Sequence, residues 1–251
     1  MMKLLSAELV KLKNTFALWL TVLGALFLPL LLFTTYLFEW KEFIPNAQVD
    51  PWYDYLLRTF NGCCFFSLGF ILLIIGLILN IEHRANSWKH LFTMPLARGK
   101  LYFSKMALVV SVIILFFLLY FVFAIMSGHM LGFIQPALEF SRYALPNEYI
   151  FRFVLDFLVS IVPMIIVQYW ISFRVKNLVI SLGIGLFGLL MGLLLKNWDN
   201  IIYLPYATPF QMLNYKVTAV LNRQGFYWFN AVYSLLFLAL GYQDFTKRFR
   251  G

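Results

Sequence analysis

Few residues of this chain could do chemistry, and their spacing argues against it. His83 and His90 share one basic segment while His129 stands far from both, which suits neither a metal site nor an acid–base pair. Cys63 and Cys64 are adjacent, poorly placed to bridge each other, and begin an apolar run, so they read as small buried hydrophobes. Asp156 is the acid closest to membrane depth, and Arg152, one helical turn earlier, is its expected ion-pair partner. A proton-coupled carrier would need an acid deeper in the membrane. There is no Gly-x-x-x-x-Gly-Lys-Ser/Thr phosphate loop, no Gly-x-Ser-x-Gly elbow and no His-Glu-x-x-His zinc pair. The chain is expected to be no enzyme, with no catalytic, cofactor or metal residue of its own.

What remains is recognition. The segment from Glu82 to Lys105 is basic and lies between two long apolar runs. Trp88, Leu91 and Phe92 fall at i, i+3, i+4, so a short helix starting near Asn86 or Ser87 shows one aromatic and apolar face. Asn or Ser suits its N-cap, and Met94-Pro95 stops it. Such a face fits the groove of a soluble partner. It fits equally a place on the membrane surface, with Trp88 among headgroups.

The body that positions this segment has 251 residues, 62% of them hydrophobic and 12% charged, with a mean hydropathy of +0.81. A soluble domain carries about 25% charged residues. The chain is therefore read as an all-α polytopic membrane protein, one domain over 1–251. The net charge of +9 collects beside the ends of apolar runs, where it sets topology and does not bind nucleic acid. Crossing a bilayer takes about 20 apolar residues. Runs free of acid and base place six transmembrane helices at about 15–38, 59–81, 106–127, 150–173, 178–195 and 224–243. Thirteen of the 20 Lys and Arg fall on the side that holds both termini, which makes that side cytoplasmic. The first apolar run exceeds a signal-peptide core, and no small-residue cleavage site follows it. Over 1–14, Met2, Leu5, Leu9 and Leu12 form one stripe that continues to Phe16, opposite Lys3, Ser6, Lys11 and Asn14. This pattern predicts an interfacial helix along the inner leaflet.

Three stretches resemble the permease subunits of type-2 ATP-binding-cassette (ABC) exporters, especially the small permeases that protect against lantibiotics and bacitracin. The amino end, Ala7-Glu8-Leu9-Val10-Lys11-Leu12-Lys13-Asn14-Thr15, is similar to that family's acidic-then-basic first helix. Glu82, Trp88, Leu91, Pro95, Arg98 and Lys105 stand at the family's spacing. Tyr203-Leu204-Pro205-Tyr206-Ala207-Thr208-Pro209-Phe210 resembles its element between the last two spans. Asn86-Ser87 departs from the Gly-Thr-like pair common before the tryptophan. The resemblance implies that Ser87–Phe92 is a coupling helix docking on a cytoplasmic ABC ATPase, with Glu82, Ser87, Trp88, Leu91, Phe92, Pro95 and Arg98 as coupling residues. ATP and Mg would sit in that partner. It also implies a bacterial cytoplasmic (inner) membrane and pairing with a second permease copy or a paralogue.

In the fifth span Ser181, Gly185, Gly188 and Gly192 form one seam of small residues. The seam serves either a permease–permease face or packing within the chain. The aromatic- and Pro-rich segments 39–58 and 196–223 either gate a substrate or form interfacial belts. The expected function is ATP-driven export of an amphipathic substrate, a peptide antibiotic or a lipid-like molecule. Two rivals stay open: an intramembrane hydrolase, and a non-transporting assembly or anchoring protein that works without an ATPase.

Overall fold

The structure, a computed structural model, describes residues 15–44, 50–84, 98–195, 197–198, 200–213 and 223–248. The expected interfacial helix over 1–14 and the coupling residues Ser87, Trp88, Leu91, Phe92 and Pro95 lie outside these residues.

Seven α-helices carry the described chain: α1 (Phe16–Phe38), α2 (Pro51–Arg84), α3 (Arg98–Ile134), α4 (Asn147–Arg174), α5 (Leu178–Leu194), α6 (Thr208–Leu213) and α7 (Arg223–Arg248). Helices α1 to α4 are each long and apolar enough to cross a membrane. Helix α5 is apolar but has 17 residues. At 1.5 Å per residue that is about 26 Å, a little under the hydrocarbon thickness. Helix α7 has 26 residues, but Asn230, Tyr233 and Ser234 dilute its apolar middle.

Charge was expected to end the second and third spans, and it does not. Helix α2 runs on through Glu82 to Arg84, and α3 starts at Arg98, ahead of Lys105. The segment between these two helices is therefore 85–97 rather than 82–105. At its other end α2 reaches back to Pro51, where the Asp50 carboxylate accepts the Trp52 amide at 2.9 Å and Pro takes the first helical position.

Helix α2 is the most enclosed of the long helices and packs on α1, α3, α4 and α5; α1 is the least enclosed. Small residues allow close approach: a Cβ on Gly24 of α1 would meet the Phe70 ring of α2 at 2.4 Å. Hydroxyls inside the helices are satisfied one turn back, Thr21 on the Ala17 carbonyl, Thr59 on Tyr55 and Ser67 on Cys63. This is how Ser and Thr are carried where no water can bond them. Cys63 and Cys64 are free thiols in the α2 core. The outward faces stay apolar: Trp19 and Phe27 on α1, Leu118 and Val122 on α3, Phe187 and Leu190 on α5 are all exposed. A body with an apolar outside and hydroxyls bonded internally is built for lipid.

Candidate functional site

The roots of the 85–97 loop meet inside the bundle. Near the end of α2, Glu82 forms an ion pair and hydrogen bond with Lys105, two turns into α3. Both residues are only 2% exposed. Glu82 thus faces the bundle interior and clamps α2 to α3. Buried pairs of this kind respond sharply to the loss of one partner, so the two helix ends are expected to move together.

The neighbouring side chain, His83, donates from Nε2 to the Ser172 carbonyl of α4 at 3.1 Å. Arg98, the first residue of α3, donates to the Thr246 carbonyl of α7 at 3.3 Å. Trp170 of α4 donates its indole N–H to Asp244 of α7 at 2.9 Å, and Arg174 stands 3.6 Å from the same carboxylate. The Tyr169 hydroxyl of α4 donates to the Tyr102 carbonyl of α3 at 3.0 Å. The Tyr102 ring then packs against Tyr169, Tyr242 and Phe245. Four helix ends, those of α2, α3, α4 and α7, are cross-tied at the base of one loop.

Of the residues expected to couple, Glu82 and Arg98 make these contacts, and the other five lie outside the described residues. Sequence reasoning missed Lys105, His83, Trp170 and Asp244 as parts of this base. Lys105 stands in the family-like spacing without a role assigned to it; its signal is a cation beside an apolar run, with Glu82 on the other flank.

The small-residue seam of α5 is filled by the same chain. Ser181 and Ser172 share a hydrogen bond of 2.7 Å, and the Gln168 amide donates to the Ser181 carbonyl at 3.2 Å. A Cβ on Gly185 would stand 2.6 Å from Gln168 Oε1, one on Gly188 2.7 Å from the Tyr206 ring, and one on Gly192 3.1 Å from the Ala207 backbone. The Tyr206 hydroxyl donates to Gln168 Oε1 at 2.7 Å. Gln168 lies within two turns of the Arg174 end of α4, whereas Tyr206 follows α5 at its opposite end, so the segment before α6 folds back into the bundle. There Thr208 donates to the Ser160 carbonyl at 2.6 Å. Pro163 supplies no N–H to the Val159 carbonyl four residues before it, close to this contact.

At the end opposite the loop, Trp52 donates its indole N–H to the Phe140 carbonyl at 3.0 Å, and Tyr55 bonds Ser127 at 2.6 Å. Asp54 joins Tyr36 at 3.1 Å and Arg58 at 2.9 Å. The expected Arg152–Asp156 pair is not formed. Arg152 pairs with Glu148 instead, and Asp156 accepts from the Tyr227 hydroxyl of α7. Among the described residues no three His, Cys, Asp or Glu gather to hold a metal ion.

Four long apolar helices and a further apolar helix define a multi-pass membrane protein. The model of the family described as "ABC-2 family transporter protein" matches residues 4–192, and the chain belongs to that family. It is the membrane part of an ABC transporter, and membership implies an ABC ATPase as its partner. No curated protein and no solved structure matches the chain.

Proposed function

We propose that the chain is one permease half of an ATP-driven exporter that moves an amphipathic substrate, a peptide antibiotic or a lipid-like molecule, out of the cell or the membrane. In this reading α5 and α7 complete six crossings, both termini are cytoplasmic in a bacterial inner membrane, and 85–97 carries the coupling helix. A separate ATPase subunit, holding ATP and Mg, receives Trp88, Leu91 and Phe92. A second permease copy or a paralogue completes the pathway. The small lantibiotic- and bacitracin-protection permeases are the proposed subtype.

The observation that carries the reading is the buried Glu82–Lys105 pair. A loop that only decorated the surface would have no need of a clamp between its two roots, sealed from water and tied onward to α4 and α7. A loop that receives force needs both. The test is activity of the purified chain alone, in lipid, against the chain with its ATPase: transport only in the second preparation is expected, and full activity in the first would end the proposal.

A further inference from the structure

Polar atoms buried without partners are rare in a folded chain, and those without explanation mark places where something else binds. Among the described residues five buried side-chain polar atoms have no hydrogen-bond partner: the Tyr102 hydroxyl, and Gln211 Nε2, Gln211 Oε1, Asn230 Oδ1 and Ser234 Oγ. The last four lie on α6 and α7, and both helices pack on α4.

They gather on one stretch of α4. Helices α4 and α7 run parallel, joined by Asp156–Tyr227 towards one end and Trp170–Asp244 at the other. Asn230 and Ser234 follow Tyr227 at i+3 and i+7, on the same stripe, which brings them alongside the α4 stretch from Asp156 to Pro163. Gln211 follows Thr208 by one turn of α6, and Thr208 is bonded to Ser160 of that same stretch. The position is close to the middle of both long helices. On its outer side α7 shows Val232 and Leu235 to lipid.

The chemistry of the atoms defines the ligand. Gln211 offers a donor and an acceptor, Ser234 a hydroxyl, and Asn230 an acceptor, its amide being spent on the Phe226 carbonyl at 2.8 Å. Among the described side chains Asp156, bonded by Tyr227, is the charged group bordering this stretch, and α4 and α7 carry no other between it and Arg174 or Asp244. The four unpartnered atoms belong to neutral groups, which suit a neutral head better than a phosphate. We infer that the seam between α4, α6 and α7 is a mid-depth binding site for the uncharged, hydroxyl-bearing head of an amphipathic molecule whose tail remains in lipid. The site adds a cargo position to the transport reading and rests on it. These four atoms are buried and unsatisfied; a sugar-like head supplies both donors and acceptors, and α7 borders the lipid from which it arrives.

The test uses the full chain in lipid nanodiscs with two radiolabelled probes of equal tail, n-dodecyl-β-D-maltoside and n-dodecylphosphocholine. Saturable binding of the maltoside but not the phosphocholine is expected. Gln211→Leu and Asn230→Leu should each weaken it about tenfold, the loss of roughly one good hydrogen bond. The same variants, and the milder Ser234→Ala, should unfold at an equal or higher temperature, because they remove unsatisfied polar atoms. Equal binding of both probes, binding unchanged by the substitutions, or a lower unfolding temperature for Ser234→Ala would overturn the inference. No arm needs the ATPase, so a failed coupling experiment leaves this result standing by itself.

Discussion

Glu82 and Lys105 meet as a buried ion pair across the base of the 85–97 loop, and neither is more than 3% exposed at its side chain. Their burial converts two helix ends into one body. A pair of this kind is weak support for stability, since apolar replacements of both partners are often neutral or better, but it responds sharply to the loss of one. Lys105→Met should lower the stability of the purified chain, and Glu82→Met/Lys105→Met should recover part of the loss. Thermal unfolding of the three proteins in one detergent checks this, and a single variant that melts with the wild type would refute the clamp.

The α5 seam predicts a folding defect rather than a change of assembly. A Cβ at position 188 would meet the Tyr206 ring at 2.7 Å. Gly188→Leu should therefore expel the segment around Tyr206 and cost about 1–3 kcal/mol as an overpacking change. Tyr206→Phe should cost about 1 kcal/mol through its lost bond to Gln168. Cross-linking of the folded fraction should be unaltered. Loss of cross-links at unchanged stability would return the seam to a permease–permease face.

The Thr208 hydroxyl ties α6 to α4 through the Ser160 carbonyl. Thr208→Val should cost about 1 kcal/mol. Thermal unfolding checks this, and a variant that melts with the wild type would contradict the tie.

Asp156 depends on Tyr227 and not on Arg152. The Arg152–Glu148 pair is 60% and 78% exposed, so Arg152→Ala should change stability by less than about 1 kcal/mol. Tyr227→Phe should cost more, because it strips a hydrogen bond from a carboxylate at a helix–helix contact. The reverse order in an unfolding experiment would restore the local pair expected from spacing.

The long helices were legible because lipid demands continuous apolar runs, and charge-free stretches find them. Their ends were not. Using charge to close a span fails where two opposite charges neutralise each other inside, as Glu82 and Lys105 do. Asp156 misled for a related reason. A helix offers a partner at i−4, but Tyr227, 71 residues away, was invisible to spacing. The α5 glycines announced close packing without naming what packs there. Tyr206 could not be matched to Gln168, because only the fold brings a segment from one end of the bundle towards the other. The family likeness rests on three short stretches, at the amino end, over Glu82–Lys105 and over Tyr203–Phe210; the match over 4–192 carries the ABC-2 assignment, and the antibiotic-protection subtype rests on the proposal above.

The central claim is that the loop receives force and the buried pair passes it on, and these two tasks can be separated. The measurement is co-purification of the ATPase from membranes, followed by substrate transport per ATP hydrolysed. Trp88→Ala should lose the ATPase while still inserting in the membrane; Glu82→Gln should keep it but transport far less per ATP. If Trp88→Ala retains the ATPase with full transport, or Glu82→Gln transports as the wild type does, the coupling account is contradicted.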